Sequence, residues 1–409
     1  MTTRLFDADS HLWSFTARVL ACEEKDGRFE VELDATAFFP EGGGQRGDRG
    51  TLGGVRVLDT VERGGTILHI CDGPLPVGSE ARGEVDAELR FCNMQTHSGE
   101  HIVSGIVHRL FGFDNVGFHL DGAATLDFSG ELTAEDIARV ELLANEAVWR
   151  DLPITARYPS PDELAGLEYR SKLDLTENVR IVTIEGVDVC ACCAPHVSRT
   201  GEIGLIKITD FMRHRGGVRL TMLAGRRAFL DYRAKTDAAA ELSAMLSAPR
   251  DALPAAVARL KDTLEDARKQ LTDAAFAAAR ARAAALPPTE GSVCLFEADA
   301  DQAVLRELVN IAAAKSAAAG VFTPCEGGFR YIIGSSKVDL RAASKEINAA
   351  LGGRGGGSPT MIQGSCSASE EEVRAFFAAW PRGQNAGAFR AKKSTLQTVD
   401  FIDNPSKKD

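Results

Sequence analysis

His97 and His101 stand four residues apart in the stretch QTHSGEH, with Glu100 directly before the second histidine. At helical spacing the two imidazoles are separated by about 40° around the axis, so both can reach one metal ion. Glu100 lies about 60° from His97, placed to act as a base or to orient a ligand. The same string reads H-x-x-E-H, the inverted-zincin peptidase pattern. His108 shares the face but sits about two turns farther on, too far to join the pair. A second half-site is DVCACCAPHV, in which Cys192 and His196 are also four apart. Pro195 interrupts any helix there, so these two are expected on a turn after a strand. Two histidines plus Cys192 and His196 make the four-ligand set that zinc prefers. Cys190 and Cys193 also form C-x-x-C, a redox or zinc-ribbon spacing, but no second C-x-x-C accompanies it. A peptidase would instead take a downstream glutamate as third ligand. Glu163, Glu168 and Glu177 are the candidates, and none stands in a ligand motif.

The elements that must position these residues can be read in outline. The chain has 409 residues, 44 % of them hydrophobic and 26 % charged, an ordinary globular composition with room for two to four domains. MTTRLFDADSHLW reads as no secretion signal, and no long uncharged apolar run suggests a membrane span. Nine cysteines in this length do not make a disulfide framework. A reducing cytoplasm is the expected setting. The formal net charge of -11 argues against indiscriminate nucleic-acid binding. Between Lys207 and Lys235, however, eight basic residues face two acidic ones, a local excess that serves either a solvated face or a polyanion.

Residues 1–88 read as short strands with Gly-rich turns, with a hairpin around Gly64–Gly65. From Asp86 to Phe111 the period becomes helical, with Ile102, Val103, Ile106, Val107 and Leu110 as its stripe. LTAEDIARVELLANEAVWRD is a helix capped by Thr133. NVRIVTIEGVDVC reads as a strand and GEIGLIKITDFMRHRGGVRLTMLAG as two more. Residues 228–288 read as a long helical linker. Leu253, Val257, Leu260, Leu264, Ala267, Leu271 and Ala274 step by four and three, a heptad seam that suits a helical hairpin or a contact between two copies. Pro287 and Pro288 end it. Residues 289–385 read as a second α/β unit containing the glycine-dense GGRGGGSP, and 386–409 as a polar tail. The fold class is α+β: a small β-barrel-like N-terminal domain (1–88), a two-layer α/β core (89–227), a coiled-coil-like linker and a C-terminal α/β domain.

In combination these motifs resemble a known family. HxxxH followed by CxxxH and RTGEIGLIKI is similar to the editing domain of alanyl-tRNA synthetase and its freestanding relatives, the alanyl-tRNA editing proteins. FFPEGGGQRGDRG resembles that family's Gly-rich loop, and GGRGGGSP resembles the signature of the DHH-associated C-terminal domain. Threonyl-tRNA synthetase editing domains share the two metal half-motifs but not GGGQ or the C-terminal unit. The resemblance implies a stand-alone, trans-acting hydrolase of the long form, since the short stretch before the loop leaves no room for an aminoacylation domain. Its implied substrate is alanine-specific tRNA mischarged with serine or glycine. The implied zinc ligands are His97, His101, Cys192 and His196. Gly42, Gly43, Gly44 and Gln45 would line the aminoacyl pocket near Thr36. Glu100, Gln45 and Thr36 are the candidate catalytic residues, with Gln45 suited to bond a serine hydroxyl. Lys207, Arg213, Arg215 and Arg219, with Gly353, Arg354, Gly355 and Gly356, are the candidate tRNA contacts. Any homodimer would form through the helical linker or the C-terminal domain. This chain differs from the family pattern at Glu100 and in CCAPH, where the synthetase carries CGGTH. A zinc peptidase and a non-catalytic, zinc-containing tRNA-binding protein are the alternatives.

Overall fold

The computed structural model describes residues 2–171, 178–298 and 301–381. The tail at 386–409 and Glu177 lie outside them. The chain divides into two compact units, Met1–Arg250 and Asp251–Asp409.

The first unit opens with a closed barrel. Its strands run in the order Ser14–Lys25, Arg28–Leu33, Thr66–Cys71, Val55–Arg63, Gly50–Leu52 and Glu80–Val85, and the last pairs back onto the first. Inward positions alternate, with Phe15, Ala17 and Val19 buried on one strand and Ala81, Gly83 and Val85 on its closing partner. Phe38, Leu52 and Val57 complete the filling. Closure removes the exposed strand edges that short strands otherwise present.

One helix, Ala87–Phe111, carries QTHSGEH. Asp86 caps it by accepting the Leu89 N–H at 3.0 Å, and Gly112 ends it at a φ of 70°. Arg90 and every residue from Cys92 to Val107 are buried, so the helix is the spine of this unit. It touches two antiparallel sheets and the helix Ala134–Trp149. The larger sheet runs Ile206–His214, Gly217–Ala224, Ala123–Phe128, Asn115–Asp121; the smaller runs Ile154–Arg157, Ile181–Ile184, Asp188–Ala191. NVRIVTIEGVDVC, expected as one strand, is therefore a hairpin, turned at Gly186 with a φ of 69°. Its β-branched residues obscured the turn signal. Arg90 ties helix to barrel: its guanidinium donates to the Asp48 carboxylate and to the carbonyls of Ala37 and Ser10. Both partners of that ion pair are buried.

The expected helical linker consists of two helices. Gly225–Leu246 belongs to the first unit, where Arg227 donates to the Cys92 carbonyl and the Asn93 side chain. The chain then turns at Ser247, which has a φ of 47°, and Leu253–Ala285 belongs to the second unit. The C-terminal end of this helix joins a core, through Ala279 and Ala283 against Val304, Leu308 and Val309. The heptad seam is left open, with Leu260, Leu264 and Leu271 exposed by 58 %, 51 % and 72 %.

In the second unit, one five-stranded sheet runs Val293–Phe296, Ala319–Cys325, Gly328–Gly334, Met361–Cys366, Gly353–Gly357. Helices Gln302–Ala314, Leu340–Leu351 and Glu370–Ala379 accompany it. Phe322, Tyr331, Leu351, Phe377 and Trp380 form its main core. The glycine cluster is an edge strand, paired from Gly353↔Cys366 to Gly357↔Ile362. At Gly355 an added Cβ would lie 2.1 Å from the Tyr331 hydroxyl, so close packing accounts for that glycine.

Candidate metal centre

The strand Asp188–Ala191 delivers the chain into a turn held by its backbone. The Cys192 N–H donates to the Arg180 carbonyl at 3.0 Å. Arg180 in return donates to the carbonyls of Cys192 and Ala194, at 3.1 and 2.8 Å. The Ser10 hydroxyl donates to the His196 carbonyl at 2.7 Å. The turn brings Cys192 and His196 to His97 and His101 on the buried helix, and the four ligand atoms all lie within 4.8 Å of one another. Cys192 Sγ stands 3.6 Å from His97 Nε2 and 3.4 Å from His196 Nε2.

Each imidazole is held from behind. Nδ1 of His97 bonds Gln45 Oε1, that of His101 bonds Asp188 Oδ2, and that of His196 bonds Ser98 Oγ, each at 3.0 Å. With Nδ1 carrying the proton, each Nε2 faces the cluster as a lone-pair donor. Partners of this kind orient metal-ligating histidines. Three imidazoles and one thiol, buried and oriented, fit a zinc ion. The charges agree. Burial opposes ionisation of Cys192, yet His97 and His196 hold its thiol well below the usual range. Burial pushes His196 down to about 3, so it is neutral, the form that binds metal. His101 is the exception: burial opposes its charge, but its bonds to Asp188 and Cys192 raise it well above the usual value, so a metal ion would have to displace that proton. Burial pushes Cys190 and Cys193 up to about 11. As protonated thiols they lack the character of a redox pair.

Asp188, two residues before the C-x-x-C, was not legible as a partner of the site. Its carboxylate accepts from Arg170 at 2.7 and 2.9 Å as well as from His101. Asp188→Asn keeps the shape and removes the charge. It is expected to weaken metal binding about 10- to 100-fold, read by competition with a chromophoric chelator.

A cavity of about 600 Å³ opens onto the cluster, walled by Gly43, Gly44, His97, Glu100, His101 and Cys192 among others. The Gly-rich loop forms its barrel-side wall. Gly42 and Gln45 exchange backbone hydrogen bonds of 3.0 Å, closing a turn with φ values of 59° at Gly43 and 82° at Gly44. A Cβ at Gly44 would lie 2.3 Å from the Phe118 carbonyl oxygen, so only glycine permits both the turn and its close approach. The Leu120 N–H donates to the Gly44 carbonyl at 2.9 Å, and Gln45 makes a parallel bridge with Leu120. Gln45 itself is buried. Its amide oxygen is committed to His97, and among the described residues its amide nitrogen has no hydrogen-bond partner.

Glu100 is buried in the cavity wall. Its Oε1 accepts from the Ser104 hydroxyl and the Asn115 amide, and its Oε2 stands 3.8 Å from His101 Nε2. Thr36 is not brought to this cavity. It lies inside the barrel with its hydroxyl 2.8 Å from His69 Nε2, beside a histidine that burial pushes down to about 4. Glu163 is occupied at an exposed helix start by Ser160 and Arg157.

Among the candidate tRNA contacts, Arg219 is committed to Asp127 through bonds of 2.6 and 2.7 Å. Lys207 pairs with Glu141 at 2.6 Å. Arg213 pairs loosely with Glu131 near an exposed hairpin tip, where Arg215 adopts a φ of 47°. Arg354 lies on the glycine-rich edge strand of the second unit.

Residues 179–220, which include Cys192 and His196, match the family described as the threonyl and alanyl tRNA synthetase second additional domain. The chain is 35 % identical over 383 residues to an alanine–tRNA ligase of Pyrobaculum neutrophilum, covering 89 % of this chain and 42 % of that protein. It is 29 % identical over 405 residues to the alanyl-tRNA editing protein AlaX-L of Pyrococcus horikoshii, covering 91 % of this chain and 96 % of that one. It is 36 % identical over 239 residues to the alanyl-tRNA editing protein Aarsd1 of Bos taurus, covering 54 % of each. The chain thus spans less than half of the ligase and nearly all of AlaX-L.

Proposed function

We propose that this chain, a homologue of the alanyl-tRNA editing proteins and a relative of the alanyl-tRNA synthetases, hydrolyses alanine-specific tRNA mischarged with serine or glycine. The observation that carries this reading is that Glu100 and the Gly43–Gly44 turn line one cavity with His97, His101 and Cys192, which cluster with His196.

A zinc ion held by those four residues would supply positive charge beside the acyl group. The remaining work falls to the chain. The Gly43–Gly44 turn lets the substrate approach the backbone closely. Gln45 keeps His97 oriented through its amide oxygen; its unpartnered amide nitrogen is buried behind the Gly43–Gly44 wall rather than on the cavity surface, so a serine hydroxyl would reach it only with a small shift of the loop. A site that relies on such a bond discriminates against alanine, which leaves the donor unpaired. Glu100, fixed by Ser104 and Asn115, takes the proton of the attacking water as the new C–O bond forms. The ester bond to the terminal ribose then breaks, and that proton passes to the leaving ribose hydroxyl. Thr36 acts only indirectly in this reading, by fixing His69 within the barrel.

Arg213, Arg215 and Lys207, with the edge strand Gly353–Gly357 and Arg354, are proposed to contact the tRNA backbone. The second unit would act as a DHH-associated tRNA-binding domain, and the open seam on Leu253–Ala285 as the contact in any homodimer. Among the described residues no helix is long and apolar enough to cross a membrane. A peptidase is disfavoured because the cluster draws its remaining ligands from Cys192 and His196 rather than a glutamate.

Release of labelled amino acid from seryl-, glycyl- and alanyl-tRNA tests the reading. Serine release is expected to exceed alanine release by at least about 100-fold in kcat/KM. Tight binding without release would leave a tRNA-binding zinc protein, and cleavage of a peptide alone would restore the peptidase reading.

A further inference from the structure

Tyr158 is a feature of the cavity that neither the metal cluster nor the proton transfer uses. It lines the same cavity as the ligands, yet its side chain is 51 % exposed. Exposed aromatic rings are often mobile, but this one is anchored at both ends. Its backbone leaves the strand Ile154–Arg157 and enters Pro159, which restricts the preceding residue to extended conformations. Its hydroxyl donates to Asp7 Oδ2 at 3.1 Å. Asp7 faces Arg180 at 3.6 Å, and Arg180 holds the carbonyls of Cys192 and Ala194. The ring is thus tied, through two buried or half-buried charges, to the turn that carries half of the metal ligands. A second aromatic residue, Phe118, also lines the cavity but packs at 4.7 Å against His97 and is nearly buried. The two rings differ: Phe118 is packed against His97, whereas Tyr158 is half exposed to water.

We infer that Tyr158 is a positioning residue that stacks on the terminal nucleobase of the RNA 3′ end, holding the ester over the metal cluster. This rests on the proposed editing of aminoacyl-tRNA. A nucleobase is the ligand that fits a rigid, water-exposed aromatic face beside a site for a ribose ester, because recognition of unpaired RNA ends relies on such stacking. The Asp7–Arg180 link fixes the height of the platform relative to Cys192, so stacking would set the register of the ester.

The test uses the full-length protein and an uncharged hairpin of the alanine acceptor stem ending in 2-aminopurine. Quenching of that base on binding is expected for the unaltered protein and for Tyr158→Phe, and is expected to be lost in Tyr158→Ala. Metal content should be equal in all three, which separates stacking from damage to the fold. On seryl-tRNA, Tyr158→Ala should raise KM about 5- to 150-fold, and Tyr158→Phe, which keeps the ring but cuts its bond to Asp7, should fall between it and the unaltered protein. Equal quenching in Tyr158→Ala and the unaltered protein would overturn the inference. Quenching that depends on the ring, with no serine release by the unaltered protein, would support the platform while overturning the editing reading.

Discussion

Cys192→Ala is expected to abolish serine release and to lose the bound metal together, a fall of at least about 1,000-fold in kcat. The thiolate is the one anionic ligand of the cluster, and removing it leaves three buried imidazoles to share a dication's charge. Glu100→Gln is the informative companion. It preserves the shape, and its amide can still accept from Ser104 through oxygen, but it cannot take a proton. Metal content should stay near that of the unaltered protein while kcat falls about 100- to 10,000-fold. Both quantities come from the same preparations, by elemental analysis and single-turnover deacylation. Metal retained with activity lost would identify Glu100 as the base. Metal lost in both variants would reduce Glu100 to support for His101, which lies 3.8 Å from its carboxylate.

The second large effect concerns stability. Arg90→Met is expected to cost about 3–5 kcal/mol, because it strands the Asp48 carboxylate in the interior. It also leaves the Ala37 and Ser10 carbonyls without their donor. The Asp48 carboxyl is already raised above its usual value: burial dominates, although Arg90 opposes it. A carboxyl whose folded pKa is raised contributes stability at low pH and loses it as pH rises through that value. The deficit of Arg90→Met should therefore narrow as pH falls. Pairing the change with Asp48→Leu should recover much of the loss, since apolar replacement of a whole buried pair is often neutral. Urea unfolding of the three proteins at two pH values measures all of this.

That His97, His101, Cys192 and His196 come together as a possible metal site was legible because that chemistry is written in local spacing. Two residues four apart on a helix, and two four apart on a turn, each announce a shared direction. What was not legible is what crosses the chain. Asp188, Arg170 and Ser98 support the ligands from positions that carry no motif, and only the fold shows that Asp188 lies behind His101. Thr36 was carried over from the family resemblance, but its hydroxyl is taken by the buried His69 of the barrel and it does not line the cavity. The run NVRIVTIEGVDVC hid a turn because β-branched residues fill both of its strands. The glycine cluster offered candidate tRNA contacts but did not announce an edge strand, in which Gly355 packs against the Tyr331 hydroxyl. Helices with sharp caps, such as Ala134–Trp149 after Thr133, fell where the sequence put them, because a capping box is a local signal.

The Gly43–Gly44 turn has one more consequence. Asn115–Asp121 is the outermost strand of the larger sheet, and the Leu120 N–H on that strand is taken by Gly44. The loop that walls the cavity therefore also blocks part of an open β-edge, the kind of surface on which chains add to one another. A change that loosens the loop would cost solubility as well as turnover.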